Sequence, residues 1–414
     1  MRRIKRDYSR PLFSKHKHNP GRSLFFFGLL IGGFLVFVIT QFSTLQLVAL
    51  DAVGMAPTPT PFASFHAQRG LDAYLQGDIE TALAELRTAV ELRPNNIDYI
   101  YEYGKLLLEN GQSQEAFELG VRAVELYPDD PRGYALQARA LQWDAPAEAI
   151  PIAVNGLEKD PNFAPLHAAL SVAYTLIGRY QEALTRGALA VELDPYDPVT
   201  HRSYSVPLIF VGDRLAAIDQ LEEALKINPN LTNIYFELAA QYRALDVDEM
   251  AVAIFQHVIE IEPDNAKAYL RMCETYSGVG LFAVAQDYCE EAINIDPEYA
   301  AAYRELGRMK YNRRNYEGAI EDFETCVALG STEIECYYLR GLAHWILGQC
   351  DAAWTVLQES LGLVDNTPEN EPVIRNIRIG LQNVTRDCPA YRSASLPTAV
   401  PPTPIPPTPI GGFG

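Results

Sequence analysis

Between about Phe62 and Asn366 the apolar and polar positions return in the same order every 34 residues or so. Each cycle sets an Ala four residues before a large apolar residue, a second small residue three further on, and then Asp or Asn with Pro at a turn. The prolines are Pro94, Pro128, Pro161, Pro195, Pro229, Pro263 and Pro297, spaced by 34, 33, 34, 34, 34 and 34. A fixed period of about 20–50 residues marks a solenoid or array, in which neighbouring units bury each other's apolar faces. Nine units begin at Ala63, Ile97, Pro131, Ala164, Pro198, Thr232, Ala266, Ala300 and Ile334, and each reads as two helices joined by a short turn. Unit 1 sets Gly70 in its first helix and Ala82, Leu86 and Ala89 in its second. The same places hold Gly104, Ala116, Gly120 and Ala123 in unit 2, and Gly307, Ala319, Phe323 and Cys326 in unit 8. Small residues at fixed places let paired helices approach, while large ones fill the gaps. Tyr134, Tyr235, Tyr269, Tyr303 and Tyr337 recur at the fourth place.

The pattern resembles the tetratricopeptide repeat, with Gly or Ala at the eighth place, Ala at the twentieth, a small residue at the twenty-seventh and Pro at the thirty-second. It covers about 305 of the 414 residues. The resemblance implies an all-α, right-handed superhelical solenoid over residues 63–367, with the first helices lining a concave groove. Its members mostly share the habit of binding other proteins. Two units depart from the pattern. The third is a residue short near Trp143 and Asp144 and carries Pro146 and Pro151; the fifth has Pro207 inside its first helix. An interior Pro removes a helical hydrogen bond. A bend and a tolerated irregularity are both open readings. Beyond the array, residues 370–388 read as a capping helix, with Val373, Ile374, Ile377, Leu381 and Val384 on one face.

The ends differ in composition. Residues 1–22 carry eight Lys or Arg against one Asp, Asp7. Residues 23–50 hold no charge, and as a helix they would extend about 42 Å. That is enough to cross a bilayer, and longer than the apolar region of an ordinary signal peptide. The stretch is expected to be an uncleaved single-pass anchor in a lipid bilayer; cleavage near Gly54 and Ala56 is the other reading. The basic flank places the N-terminus in the cytoplasm and the array outside it, consistent with a bacterial cell membrane. Residues 51–62 form a Pro/Thr spacer, and residues 389–414 a Pro/Thr-rich tail that is extended and either inert, partner-binding or sugar-bearing.

The topology changes the reading of six cysteines, Cys273, Cys289, Cys326, Cys336, Cys350 and Cys388. In an antiparallel helix pair, residues mirrored about the turn are neighbours. Cys273 and Cys289 are mirrored about Leu281, Cys326 and Cys336 about Ser331, and Cys350 and Cys388 about Glu369. Three disulfides are expected, since such bonds persist outside the cytoplasm. Cys273 and Cys326 also suit places that want a small residue, so buried free thiols remain open for those two.

Candidate chemistry is sparse. There is no phosphate-binding loop, nucleophile elbow, HExxH or dinucleotide fingerprint, and no Cys/His spacing suited to zinc. His66, His167 and His201 fall at the fourth place, where Tyr recurs, and read as semi-buried aromatics. No catalytic, cofactor or metal site is expected. Some enzymes with this array modify Ser and Thr with sugars, but they need a large catalytic domain that the tail cannot supply. The net charge of −19 argues against nucleic acid, which needs a basic face.

What remains is the groove. Its facing places carry Tyr101, Lys105, Arg139, Trp143, Arg202, Phe210, Phe236, Arg243, Arg304, Arg308, Tyr311, Tyr338 and Trp345. Aromatics and Arg are the types enriched at binding hot spots. Arg304 and Arg308 stand one turn apart and could grip a carboxylate. The chaperone-binding clamp of related proteins is not matched: the fifth and ninth places of the first three units hold Ala67 and Leu71, Tyr101 and Lys105, then Ala135 and Arg139. The expected function is a non-catalytic scaffold that binds a protein or peptide. An accessory subunit of an envelope enzyme, secretion or polysaccharide complex is the alternative, and a receptor is disfavoured by the short N-terminal tail.

Overall fold

The computed structural model describes residues 62–396. The expected anchor at 23–50, nearly all of the spacer and most of the tail lie outside the described residues. Among the described residues no helix is long and apolar enough to cross a membrane.

Nineteen α-helices and one short 3-10 turn make up the described residues. Unit 1 is α1 (Ala63–Leu75) and α2 (Ile79–Leu92), and unit 2 is α3 (Ile97–Glu109) and α4 (Ser113–Leu126). Units 3 to 5 are α5 (Pro131–Leu141) and α6 (Pro146–Leu157), α7 (Ala164–Leu176) and α8 (Tyr180–Leu193), and α9 (Pro198–Phe210) and α10 (Arg214–Ile227). Units 6 and 7 are α11 (Thr232–Ala244) with α12 (Asp248–Ile261), and α13 (Ala266–Gly278) with α14 (Phe282–Ile295). Units 8 and 9 are α15 (Ala300–Asn312) with α16 (Tyr316–Ala328), and α17 (Ile334–Ile346) with α18 (Cys350–Leu363). The cap is α19 (Glu371–Asp387). The odd helices α1 to α17 begin at the nine residues where the sequence phase starts a unit.

Local chemistry explains the punctuation. Asp78, Asn96, Asp130, Asp197, Asp213, Asn265 and Asn315 each accept a backbone N–H at a helix start, satisfying a donor that the helix leaves unpaired. The fifteenth place of every unit but the third takes a left-handed backbone. It is Gly in six of these units, but Asp246 (φ 57°) in unit 6 and Arg314 (φ 63°) in unit 8. The eighth place is small because the second helix packs onto it: a Cβ on Gly70 would lie 2.8 Å from the Leu86 side chain, and one on Gly307 2.8 Å from the Phe323 ring. The fourth place also has a polar task. Tyr134 donates to the Pro128 carbonyl (3.1 Å), and the Nε2 atoms of His167 and His201 sit 2.9 and 3.1 Å from the carbonyls of Pro161 and Pro195. His here replaces Tyr as a donor to the preceding turn.

The two irregular units keep their helices. Pro207 lies inside α9 and cannot donate to the Ser203 carbonyl. The Ser171 hydroxyl of α7 stands 3.2 Å from that carbonyl and 3.0 Å from the Ala183 carbonyl, so a partner from another helix serves the freed acceptor. Helix α7 has eleven of its thirteen residues buried.

The array curls back on itself. The Asn230 side chain, between α10 and α11, donates to the Leu75 carbonyl across 155 positions, at 2.9 Å. Gly77 lies against the same Asn230, where a Cβ would stand 3.2 Å from its Cβ. Tyr74 packs onto the apolar cluster of α10 to α13. Unit 1 thus meets the junction of units 5 and 6, and both proline-bearing units lie within that arc.

The last three units are stapled. Cys273 is bonded to Cys289, Cys326 to Cys336 and Cys350 to Cys388, with Cα atoms 5.3, 6.3 and 6.0 Å apart. The pairs are those the mirror relation selects, and none of the six thiols is free. The cap buries Ile374, Ile377, Leu381 and Val384 and exposes Arg375 and Asn376, as the open end of a solenoid requires.

Candidate interaction groove

The groove-facing side chains fall into separate sets. Near the N-terminal end, Tyr101 packs on Phe163, and Lys105 lies over the Tyr101 ring while pairing with Glu102 at 2.7 Å. Arg139 is buried, and its charge reaches both Tyr101 and Glu109. Burial pushes the Glu109 carboxyl above the ordinary carboxylate range, against the pull of Arg139, the Tyr74 hydroxyl and Lys105. The Tyr74 hydroxyl donates to Glu109 at 2.8 Å, and burial holds Tyr74 far above the usual phenol range.

The middle of the groove is an ion ladder. Arg202 of α9 makes a forked contact to Glu237 of α11 at 2.5 and 2.9 Å. Lys267 of α13 rests over the Phe236 ring, 4.4 Å from its centre. Burial, with Arg271 adding in the same direction, pushes its ammonium below the ordinary lysine value. Glu274 is the hub of the next rungs: Arg271 reaches it at 2.5 Å, Arg304 at 3.6 Å and Arg243 at 3.7 Å. Arg304 also spans to Glu333 (3.4 Å) and Glu335 (3.9 Å), and Arg308 forks onto buried Glu305 at 2.5 and 3.0 Å.

This changes what the expected carboxylate grip would require. Arg304 and Arg308 each already hold glutamates of the chain, so an incoming carboxylate would have to displace them. The residues overlooked are Glu237, Glu274, Glu305 and Lys267. Lys267 and Glu274 occupy the second and ninth places of unit 7, both groove-facing, so a survey of every charge there would have found them. Other candidates stand apart. Trp143 lies in the turn of unit 3 and Phe210 ends α9, 45% and 52% exposed, and Phe210 tilts against Tyr180. Tyr311 meets Tyr316 edge-on. Tyr338 packs in the cap cluster, and the Trp345 indole donates to Asp387 of the cap at 3.2 Å. Those two serve the C-terminal seal. Among the described residues no group of three or more His, Cys, Asp or Glu is placed to hold a metal ion.

Residues 73–140 match a tetratricopeptide repeat model. The fold is an all-α solenoid similar to those of tetratricopeptide-repeat proteins. The crystal structure of the APC/C hetero-tetramer Cut9–Hcn1 superposes with a TM-score of 0.52 at 16% identity, over 66% of this chain and 54% of that one. A thermophilic repeat protein of Thermus thermophilus gives a TM-score of 0.37 at 21% identity, over 43% of this chain and 98% of its own. The Caenorhabditis elegans protein described as BBSome complex member bbs-4 is 36% identical over 88 residues, 21% of this chain and 19% of that one. The match thus spans about half of the first structure's chain and about a fifth of the curated relative.

Proposed function

We propose that this chain is a non-catalytic, membrane-anchored scaffold that presents its groove to a protein or peptide outside the cytoplasm. The observation that carries the binding half is the ladder of units 5 to 9. Arg202, Lys267, Arg271, Arg304 and Arg308 alternate with Glu237, Glu274, Glu305 and Glu335 along one face, with Phe236 between them. Such a self-paired surface favours partners of matched, alternating charge and disfavours strongly one-signed ones. The anchor rests on residues 23–50 and the basic flank. The three disulfides support an oxidising compartment, where such bonds persist.

A photo-crosslinking residue at Phe236 in the full chain tests the groove in its native cells. Specific adducts are expected from position 236 and not from Lys226 on the second helix of unit 5. Equal labelling from both, or none from 236, would remove the groove assignment. Alkaline extraction tests the anchor: the full chain should stay with membranes and a chain lacking residues 23–50 should wash free. If the full chain washes free, the anchor reading is wrong.

A further inference from the structure

Where units 1 and 2 face unit 5 and the turn that precedes it, the chain leaves a cavity of about 340 Å³, within the size range of small-ligand pockets. One wall is aliphatic, from Leu71, Leu75, Leu106 and Val199. The polar side carries four carboxylates, Glu102, Glu109, Asp194 and Asp197, against one ammonium, Lys105. Lys105 is taken by Glu102. The other three carboxylates have no Lys, Arg or His nitrogen at salt-bridge distance among the described residues. The carboxylates of Asp194 and Asp197 accept backbone N–H groups, from Tyr196 and Val199, and that of Glu109 accepts the Tyr74 hydroxyl. At the cavity's edge Tyr196 is 82% exposed, an aromatic ring open to solvent.

Three carboxylates with no cation at salt-bridge distance, although the charges of Arg139 and Lys105 reach Glu109 from further off, stand beside an aliphatic wall and an uncovered aromatic, and together these define one kind of ligand. We infer that this cavity binds an alkylammonium or guanidinium group on an aliphatic stem. The stem lies along Leu71, Leu75 and Leu106, the cation sits among Glu109, Asp194 and Asp197, and Tyr196 covers it as a cation–π lid. Desolvation of Glu109 argues the same way, since a buried carboxylate gains most from an added cation. The site shares no lining residue with the ladder of units 5 to 9, although the Glu109 charge reaches Arg202, and it stands or falls independently of that reading. It also exists only while units 1 and 2 are closed on unit 5, so a ligand there holds the curl shut.

The chemistry has two sources, a basic side chain of a peptide and a free amine. Ligand-observed NMR on the full-length protein in phosphatidylcholine nanodiscs separates them, with 1,5-diaminopentane, a blocked Gly-Lys-Gly tripeptide and 1-pentanol as probes. Glu109→Gln with Asp197→Asn removes two charges while keeping the Tyr74 hydrogen bond and the helix cap. Glu298→Gln with Glu317→Gln is the charge-matched control on exposed sites, and circular dichroism checks that both variants fold. At least one amine should bind, tenfold or more weaker in the cavity variant and unchanged in the control. Binding of the tripeptide alone assigns a peptide side chain, and binding of the diamine alone assigns a free amine. Absence of amine binding, equal loss in both variants, or pentanol binding as strongly as the amines would overturn the inference.

Discussion

The bond between Cys350 and Cys388 ties the start of α18 to the residue that caps the end of α19, over a sequence separation of 38. Cross-linking a loop of that length removes about 4 kcal/mol of conformational freedom from the open chain, by the loop-entropy relation. The shorter loops, of 16 and 10 residues, come to about 3 kcal/mol each by the same relation. The replacement Cys350→Ala with Cys388→Ala avoids a buried hydroxyl and should therefore cost the most of the three pairs. Its effect should also stay local. In a repeat array each unit is stabilised chiefly by its neighbours, so the cap can open while the rest holds. Hydrogen exchange resolved by residue is the assay. Amide protection in α19 should fall by up to about three decades, at about 1.4 kcal/mol per decade. Protection in α1 to α12 should not change. Residual order in the opened cap would shrink the loss. A drop of less than tenfold in α19, or a loss spread evenly over the array, would refute the argument.

Arg314 holds the left-handed backbone that Gly supplies at the same place in six other units. Arg314→Gly should raise the unfolding free energy, read from urea midpoints, by up to about 1 kcal/mol once the extra freedom of Gly in the unfolded chain is subtracted. A Cβ on Gly120 would stand 2.9 Å from the backbone N of Gln137 and the carbonyl of Gly133. Gly120→Ala should therefore cost about 1–3 kcal/mol by thermal unfolding, because backbone cannot swing aside. Glu109 keeps its proton to a higher pH in the folded chain than its ordinary value of 4.5. The folded state then binds more protons, and stability falls as pH rises from that value through the folded one. Glu109→Gln should flatten that descent and raise stability at neutral pH, read from urea midpoints at mildly acidic and neutral pH.

The helices were legible because their cues are local and repeated. Gly70, Ala82 and Ala89 mark where α1 and α2 touch, and Asn96, Asp130, Asp197 and Asn265 cap the first helices that follow them. The cysteine pairs were legible because each joins elements adjacent along the chain. The ion ladder was only half legible. Searching for hot-spot types finds Arg304 and Arg308 but passes over Glu274, which neutralises the groove from the same face. The curl left no local trace. It depends on small rotations accumulated over five units, and the contact of Asn230 with Leu75 is one hydrogen bond between residues that each look ordinary. The hydroxyl of Ser171 belongs to the same class: its use is visible only once Pro207 has freed the Ser203 carbonyl.

The two ends of the described array meet the same difficulty differently. A solenoid exposes an apolar face wherever stacking stops. At the C-terminal end the remedy is an added element, α19, with a polar outer face and a covalent staple. At the other end α1 has no added helix before it among the described residues. Instead its turn is laid against the edge of units 5 and 6 through Tyr74, Leu75 and Gly77. That choice has a consequence for cooperativity. Nearest-neighbour stacking alone lets an array open one unit at a time, but the contact of unit 1 with the junction of units 5 and 6 couples the units in between. Breaking any interface within that arc also strains the closure, so units 1 to 6 should open as one body while units 7 to 9 depend on their disulfides. The cavity lies at the seam of that closed arc, where occupancy by a cation would be felt by all six units together.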